Sequence, residues 1–215
     1  MSVEILTFVT GPFATNSYLL RGAGACWVID PGFGPRELLE FLSREHQTPD
    51  RIVLTHGHCD HIAGISDVRA SFGSVPIWSP AADADMLTDA ARNLSRAFGL
   101  PMTFPPADAL FRPGETLKLG ESAWEVLDTS GHTPGGVSLY GSAENAVFTG
   151  DALFAQSIGR TDFPDADTAT LLGNIRRALL SLPDETKVYP GHGPVTSIGA
   201  ERRSNPFLRE GPTWD

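Results

Sequence analysis

The stretch His56-Gly57-His58-Cys59-Asp60-His61 places three histidines and one aspartate within six residues. Three further signatures each carry one histidine or aspartate beside glycine: Gly131-His132-Thr133-Pro134-Gly135-Gly136, Thr149-Gly150-Asp151 and Pro190-Gly191-His192-Gly193. Imidazole and carboxylate groups are the usual ligands of zinc and similar divalent ions. Together the signatures offer seven such groups, as many as a hydrolytic site for two ions requires. The sequence therefore predicts metal-dependent hydrolytic chemistry.

The spacing within the first signature predicts two ligand directions. His56 and His58 are two residues apart, and alternate side chains of an extended segment share one side, so both can hold one ion. Asp60 and His61 are adjacent and cannot both continue that direction. We expect the chain to turn there into the following helix, which would direct these two side chains at a second ion.

Hydrophobic periodicity predicts strands that alternate with helices. The predicted strands are Glu4–Val9, Ser17–Leu20, Cys26–Ile29, Arg51–Leu54, Val75–Trp78, Thr116–Leu119, Ala123–Leu127, Val137–Tyr140, Ala146–Phe148 and Lys187–Tyr189. The predicted helices are Pro35–Glu45, a segment from Ile62 to Phe72, Ala81–Phe98 and Asp167–Leu180. The proline-rich connection Leu100–Pro106 is not interpreted as a domain boundary, because signatures on both sides of it have to converge. We expect one domain over residues 1–215.

The signatures also share a position relative to the predicted strands. His56, His132, Asp151 and His192 each come within a few residues of a strand end, next to glycine. Loops at one edge of a rigid sheet are where catalytic groups are commonly held together. The pattern therefore predicts that these side chains meet at one edge of the molecule.

Composition restricts the partners. A net charge of -10 argues against a large nucleic-acid footprint, which needs clustered Lys and Arg. No apolar run approaches the ~20 residues that span a bilayer, and Met1-Ser2-Val3-Glu4-Ile5 lacks the features of a signal peptide. Cys26 and Cys59 offer no disulfide framework. We expect a cytoplasmic protein that acts on a small molecule, without nucleic-acid or membrane partners and with an oligomeric state that the sequence does not determine.

With these positions the sequence resembles the metallo-β-lactamase superfamily, whose pattern is HxHxDH followed by His, Asp and His. The resemblance implies an α/β fold, the four-layer αββα sandwich. It also implies that one ion is held by His56, His58 and His132, a second by Asp60, His61 and His192, and that Asp151 bridges the two. Asp30, in the turn Ile29-Asp30-Pro31-Gly32, matches an acidic position of the family that would orient a liganding histidine.

A closer resemblance is to the glyoxalase II group, and in particular to its short single-domain bacterial members. It rests on the segments Thr55 to Gly64, Gly131 to Gly135, Gly159 to Pro164 and Glu201 to Leu208. The resemblance implies hydrolysis of S-D-lactoylglutathione, or of a related acyl-thiol, by a hydroxide that bridges the two ions. Longer members carry a C-terminal helical domain with basic residues for glutathione, which the 215 residues do not include. Arg160 is then the expected contact for a substrate carboxylate, and a structural pair with Asp162 or Asp165 is the other interpretation.

The leaving group can be argued from the residues that remain. Once the ligands are assigned only His46 is left among the histidines, and we expect it to lie remote on a helix. A thiol leaves as a thiolate with a pKa of about 8.5, so a thioester makes the smallest demand on a general acid. The sequence favours a thioester over an amide or a phosphodiester, with Asp60 or a metal-bound water as the remaining candidates for a general acid. Asp60 is also the candidate proton acceptor.

Two alternatives stay open. The segment Gly159 to Phe163 also resembles persulfide dioxygenases, which use one iron held by two histidines and one aspartate; His56, His132 and Asp151 could supply that set. A structural or regulatory metal site is the non-enzymatic alternative, although structural zinc usually fills four positions and favours cysteine. We expect zinc as the bound metal. Iron and manganese remain alternatives, because mixed His and Asp sites accept all three ions.

Overall fold

The fold is described by a computed structural model that covers residues 3–22 and 24–209. Met1 and Ser2, on which the prediction about secretion partly rests, lie outside the described residues. So does Asp215, the end of the predicted domain.

In the described part of the chain, the first sheet has six strands that follow one another in chain order. They are β1 (Glu4–Thr10), β2 (Thr15–Gly22), β3 (Ala25–Ile29), β4 (Arg51–Val53), β5 (Ile77–Pro80) and β6 (Ala109–Phe111). Neighbours are antiparallel from β1 to β3 and parallel from β3 to β6. The helices α1 (Arg36–Arg44), α2 (Cys59–Ile62) and α3 (Ile65–Phe72) lie in the crossovers between its parallel strands.

The second half of the described chain forms another sheet of six strands. They are β7 (Thr116–Leu119), β8 (Ser122–Asp128), β9 (Val137–Gly141), β10 (Ala146–Gly150), β13 (Lys187–Pro190) and β14 (Thr196–Ser197), in the order β14-β13-β10-β9-β8-β7. A short hairpin, β11 (Leu153–Phe154) with β12 (Ser157–Ile158), follows β10. The helices of this half are α4 (Thr168–Asn174) and α5 (Ile198–Ser204).

The alternation of side chains along the strands builds four layers. Leu20 and Trp27 belong to a buried cluster shared by the two sheets. Leu19 and Val28, one position away on β2 and β3, belong to the cluster under α1 and α3. Successive residues of a strand point to opposite faces, so each sheet packs on the other sheet and on helices. The predicted αββα sandwich is confirmed, and the chain returns to the first sheet as β6 after the proline-rich connection.

The site lies at one edge because of strand direction. β3, β4 and β5 are parallel, so the residues after them, among which are Asp30 and His56, emerge at the same edge. β10 and β13 are likewise parallel, and they lead into Asp151 and His192. Parallel strands thus bring residues that are far apart in sequence to a common edge.

The predicted helix Ala81–Phe98 is wrong. The structure has only a 3₁₀ turn at Ala84–Thr88, followed by irregular turns. The side chain of Asp89 accepts hydrogen bonds from the backbone of Ala91 and Arg92 at 2.8 and 3.4 Å. Asn93 Nδ2 donates to the carbonyl oxygens of Met86 and Met102, both at 3.0 Å. Short polar side chains offer the backbone these alternatives to helical hydrogen bonds, and here they prevail over the apolar spacing.

The predicted helix beyond His61 is interrupted, since α2 and α3 are separate. The break is at Gly64, whose N–H donates to Pro31 O at 2.8 Å. A Cβ at Gly64 would lie 2.5 Å from Gly32 O. The start of α3 therefore packs directly against the turn that carries Asp30.

His46 does not lie on a helix, contrary to the prediction. α1 ends at Arg44, and His46 is exposed with φ of 52°. Its N–H donates to Ser43 O at 3.2 Å, and that of Gln47 donates to Leu42 O at 2.9 Å. These two hydrogen bonds form the Schellman motif that closes a helix, with histidine where glycine is usual.

The remaining predictions differ mainly at their ends. The strand predicted at Val75–Trp78 is β5, two residues later. The helix predicted over Asp167–Leu180 begins as α4, capped by Asp167, and continues as a π-helical turn at Ile175–Leu179. Hydrophobic periodicity did not reveal the short strands β6, β11, β12 and β14 or helix α5. Within the described residues, none of the helices combines the length and apolar character that a membrane crossing requires.

Candidate metal centre

Three of the predicted ligands form a cluster that we call the first trio: His56, His58 and His132. One ring nitrogen of each lies within 4.8 Å of the others, and all three side chains are buried. His56 and His58 lie in the loop between β4 and α2, whereas His132 lies in the loop between β8 and β9. Nδ1 of His58 and Nε2 of His132 are 2.9 Å apart. The two sheets thus contribute to a single compact set of nitrogens.

Three other predicted ligands form the second trio: Asp60, His61 and His192. Their ligand atoms also lie within 4.8 Å of one another. Asp60 Oδ2 is 3.2 Å from Nε2 of His192, and Nε2 of His61 is 3.3 Å from the same atom. Asp60 and His61 lie on α2, so the turn expected after His58 is present, and His192 follows β13.

Asp151 lies between the two trios. Its Oδ1 is 3.2 Å from Nε2 of His61, and its Oδ2 is 3.5 Å from Nε2 of both His132 and His192. The carboxylate therefore contacts one member of the first trio and two of the second. This is the position that a bridging ligand would need.

Two rings of the first trio, those of His56 and His58, are held in the neutral form. Burial, followed by the neighbouring charge of His61, lowers the pKa of His56 well below its usual value. Burial and the proximity of His132 lower the pKa of His58 to about 3. Neutral imidazole is the form that binds a metal ion, so these rings need not lose a proton first.

The second trio has the opposite balance. Burial lowers the pKa of His61, but Asp151 and Asp60 outweigh it and hold the pKa well above the usual value. Burial also lowers the pKa of His192, but hydrogen bonds to Asp151 and Asp60 outweigh it and raise the pKa to about 9. The pKa values of Asp60 and Asp151 are lowered by His61 and His192 against the effect of burial. Without metal, this half of the site holds protons that a bound cation would displace.

Most of the histidine rings are fixed from outside by an oxygen acceptor. Their Nδ1 atoms lie within hydrogen-bonding distance of the following oxygens: His56 at 3.1 Å from Thr55 Oγ1, His61 at 3.0 Å from Asp30 Oδ2, His132 at 2.7 Å from Arg160 O, and His192 at 3.1 Å from Phe13 O. A proton on each Nδ1 leaves the lone pair of Nε2 directed inward. His58 is turned the other way, with Nδ1 inward.

These residues fit divalent cations. Nε2 of His56 is buried and, among the described residues, has no hydrogen-bond partner. Buried polar atoms are normally satisfied, so an orphaned acceptor within a cluster of possible ligand atoms indicates a missing ligand. Nitrogen and carboxylate oxygen donors in this number suit zinc, iron and manganese alike.

Asp30 occupies the position expected for an orienting carboxylate. In addition to its contact with His61, its two oxygens accept hydrogen bonds from Thr55 N at 2.8 Å and Thr55 Oγ1 at 2.6 Å. Asp30 itself has φ of 48°, a backbone conformation that is uncommon outside glycine and that aspartate and asparagine tolerate best.

Arg160 is paired as the structural interpretation predicted. Its Nε and Nη2 donate to the two carboxylate oxygens of Asp162 at 2.9 and 2.7 Å, and both side chains are exposed. Its guanidinium carbon lies 4.8 Å from the ring centroid of Phe163. Phe163 in turn packs edge-on against the rings of His58 and His132. Cys59 is buried with a free thiol.

Two features of the site were not predicted from the sequence. One is a cavity of about 260 Å³ beside the first trio, lined mainly by apolar side chains that include Met86, Leu94 and Phe163. The other is the buried carboxylate of Asp83, which contacts the loops of both sheets. A carboxylate just after β5, at the edge where the ligand loops emerge, is a signal that strand direction could have revealed.

The chain is similar to several known proteins. Residues 10–192 match the model of the family described as the metallo-beta-lactamase superfamily. The chain is 38% identical to the probable metallo-hydrolase YqgX of Bacillus subtilis over 92% of this chain and 94% of that protein. It is 39% identical to the hydroxyacylglutathione hydrolase GloC of Haemophilus influenzae over 84% of this chain and 86% of that protein.

The chain is also similar to solved structures. The BLEG-1 B3 metallo-beta-lactamase is 41% identical with a TM-score of 0.90, and the match covers 95% of this chain and 99% of that one. TTHA1623, solved in a di-iron-bound form, is 37% identical with a TM-score of 0.84 over 94% of this chain and 100% of that one. ETHE1 from Myxococcus xanthus is 28% identical with a TM-score of 0.76 over 94% of this chain and 83% of that one. This chain belongs to the metallo-beta-lactamase superfamily.

Proposed function

We propose that the chain is a dinuclear metal-dependent thioesterase of the glyoxalase II type, which hydrolyses S-D-lactoylglutathione or a related acyl-thiol. One observation carries the proposal: two trios of ligand atoms lie on either side of a carboxylate that contacts both. The 39% identity to a hydroxyacylglutathione hydrolase supports the substrate class. The similarity to a di-iron protein supports metal use, with zinc first and iron or manganese as alternatives.

In this proposal the first trio would hold one ion and the second trio the other, and Asp151, which contacts both trios, would be their shared ligand. Two divalent ions supply Lewis acidity and lower the pKa of bound water to about 7. Asp60 keeps 15% side-chain exposure and a lowered pKa, so it is ionised and accessible as a proton acceptor. The apolar cavity beside the first trio receives the acyl part. The thiol leaves as a thiolate with little need of a general acid.

Arg160 remains the proposed contact for a substrate carboxylate. It would have to exchange Asp162 for the substrate. Exposed pairs of this kind are worth about 0–1 kcal/mol, so the exchange costs little. The acidic balance of the chain supports a small-molecule substrate, and we propose a cytoplasmic setting for it.

The test combines elemental analysis of the purified protein with a panel of acyl-thiols that includes S-D-lactoylglutathione. We expect two metal ions per chain and release of free thiol. Asp60→Ala should abolish hydrolysis, because it removes a ligand of the second ion and the proton acceptor together. Circular dichroism should remain that of the wild type, since Asp60 lies at the site rather than in a core cluster.

A mononuclear iron persulfide dioxygenase is the rival activity. Nε2 of His132 lies 3.5 Å from Asp151 Oδ2, the ring centroids of His56 and His132 are 5.2 Å apart, and the chain is similar to ETHE1. One iron per chain with oxygen uptake on glutathione persulfide would favour this rival. Thioesterase activity that persisted in Asp60→Ala would contradict the two-ion assignment.

A further inference from the structure

Asp83 is a fully buried carboxylate that is not among the predicted ligands. Its Oδ2 accepts hydrogen bonds from Gly57 N at 3.1 Å and Thr133 Oγ1 at 2.7 Å, and its Oδ1 accepts one from Gly135 N at 2.6 Å. Burying a charge is costly unless it is hydrogen-bonded. A carboxylate kept in this environment by three donors therefore calls for an explanation.

The donors to Asp83 flank the first trio. Gly57 stands between His56 and His58, and Thr133 follows His132 directly. Asp83 comes after β5 of the first sheet, whereas Thr133 and Gly135 precede β9 of the second. One carboxylate thus connects the two loops, from different sheets, that have to meet for the first trio to form.

The packing around Asp83 leaves little freedom. A Cβ on Gly135 would lie 2.6 Å from Asp83 Oδ1, and a Cβ on Gly57 would lie 3.1 Å from Asp83 O. Gly135 thus allows the backbone to approach the carboxylate closely, and Gly57 allows close approach to the backbone of Asp83. Burial raises the pKa of Asp83, and the hydrogen bonds from Thr133, Gly135 and Gly57 oppose that rise.

The second trio is supported by another carboxylate. Asp30 contacts His61 of the second trio directly, and through Thr55 Oγ1 it also reaches Nδ1 of His56 in the first trio. The donors to Asp83, in contrast, adjoin ligands of the first trio only. Loss of Asp83 therefore leaves the contact of Asp30 with the second trio in place.

We infer that Asp83 is a positioning residue that sets the geometry of the first trio by joining the loops of His56–His58 and His132. Its loss lowers the affinity of the first metal position and spares the second. The inference rests on the metal centre of the proposed function and not on the substrate.

The experiment is a Zn²⁺ titration of the metal-free protein against a chromophoric chelator, with imidazole NMR signals identifying which histidines respond. Asp83→Asn keeps the size of the side chain but replaces one acceptor with a donor. We expect the affinity at the first trio to fall about 10–100-fold, as is usual for residues that support metal ligands. The affinity at the second trio should stay within about twofold of the wild type.

Glu201→Gln is the matched control. Glu201 is equally buried and accepts hydrogen bonds from Gln156 N, Thr196 Oγ1 and Asn205 Nδ2, none of which adjoins a ligand. It should leave both affinities unchanged. If Asp83→Asn does not fold, Thr133→Val removes one of the three hydrogen bonds and should give a smaller loss at the same position.

The outcomes separate cleanly. Unchanged zinc affinities in Asp83→Asn, or an equal fall at both positions, would overturn the inference, since the second pattern is what general loosening produces. The wild-type titration tests the proposed metal centre independently: fewer than two bound ions would count against the proposed function, whatever the variants do.

Discussion

At the scale of single residues, the site depends on how closely backbone can approach the ligands. Gly191 donates its N–H to Gly150 O at 2.8 Å and accepts from Asn16 N at 2.7 Å, so its backbone is held on both sides. A Cβ on Gly191 would collide with Asp151 Oδ1 and would lie 2.6 Å from Cε1 of His61. No side chain fits between these two ligands.

Gly191→Ala should therefore disrupt the metal centre. We expect a displaced Asp151, a metal content below that of the wild type, and a loss of hydrolysis of tenfold or more, in line with other perturbations around metal ligands. Elemental analysis and thiol release measure the two effects.

Gly193→Ala is the control for this change, because Gly193 has φ of 78° and nothing within 4 Å of a Cβ. It should cost about 1 kcal/mol of backbone strain and keep the metal. Equal metal contents in the two variants would show that the collision at Gly191 has no consequence.

At the scale of elements, the caps and breaks position the loops. Ser197 Oγ accepts from Ala200 N at 3.2 Å and so caps α5. The buried Ile198 then packs α5 against the helical side of the second sheet. This cap supports stability rather than chemistry.

Ser197→Ala should lower the free energy of unfolding by about 1 kcal/mol, because the N-terminus of α5 loses its side-chain acceptor. For a chain of this size the melting temperature falls by roughly 2–4 °C. Differential scanning calorimetry gives the shift, and the metal content should not change. Ser43→Ala makes the same chemical change at an exposed position inside α1 and should leave stability equal or slightly higher. A similar loss in both variants would rule out the cap as the cause.

At the scale of the whole molecule, each sheet contributes part of the centre. His56, His58, Asp60 and His61 come from the first half of the chain, and His132, Asp151 and His192 come from the second half. A metal ion bound by both halves is bound by the folded state and not by separated halves. Folding and metal binding are therefore linked.

Removal of metal should lower the melting temperature. At free zinc of 100 times the dissociation constant, binding stabilises the folded state by about 2.7 kcal/mol. That corresponds to roughly 5–10 °C for a chain of this size. Thermal unfolding with and without a chelator measures the difference, and added Zn²⁺ should restore it. A variant carrying both His132→Ala and His192→Ala should show no chelator effect; a shift of the wild-type size in that variant would place the stabilising ion elsewhere.

The sequence predicted the residues of the candidate site more completely than it predicted the helices and strands. The seven ligand candidates needed only residue type, order and spacing, and the structure brings all of them together. The helix expected at Ala81–Phe98 failed because the side chains of Asp89 and Asn93 compete for its backbone. Such local competition does not alter the apolar spacing, so periodicity cannot detect it.

The sequence by itself determined which side chains are the candidate metal ligands, because histidine and aspartate beside glycine, in this order, leave few interpretations other than a metal centre. Only the tertiary structure decided what holds that centre in shape. Asp83 has no motif of its own, and its three donors come from two loops of different sheets. The choice of Asp162 rather than Asp165 as the partner of Arg160 likewise came only from the structure. Contacts of this kind depend on how the strands are arranged in space, which is a property of the packed sheets rather than of any local segment.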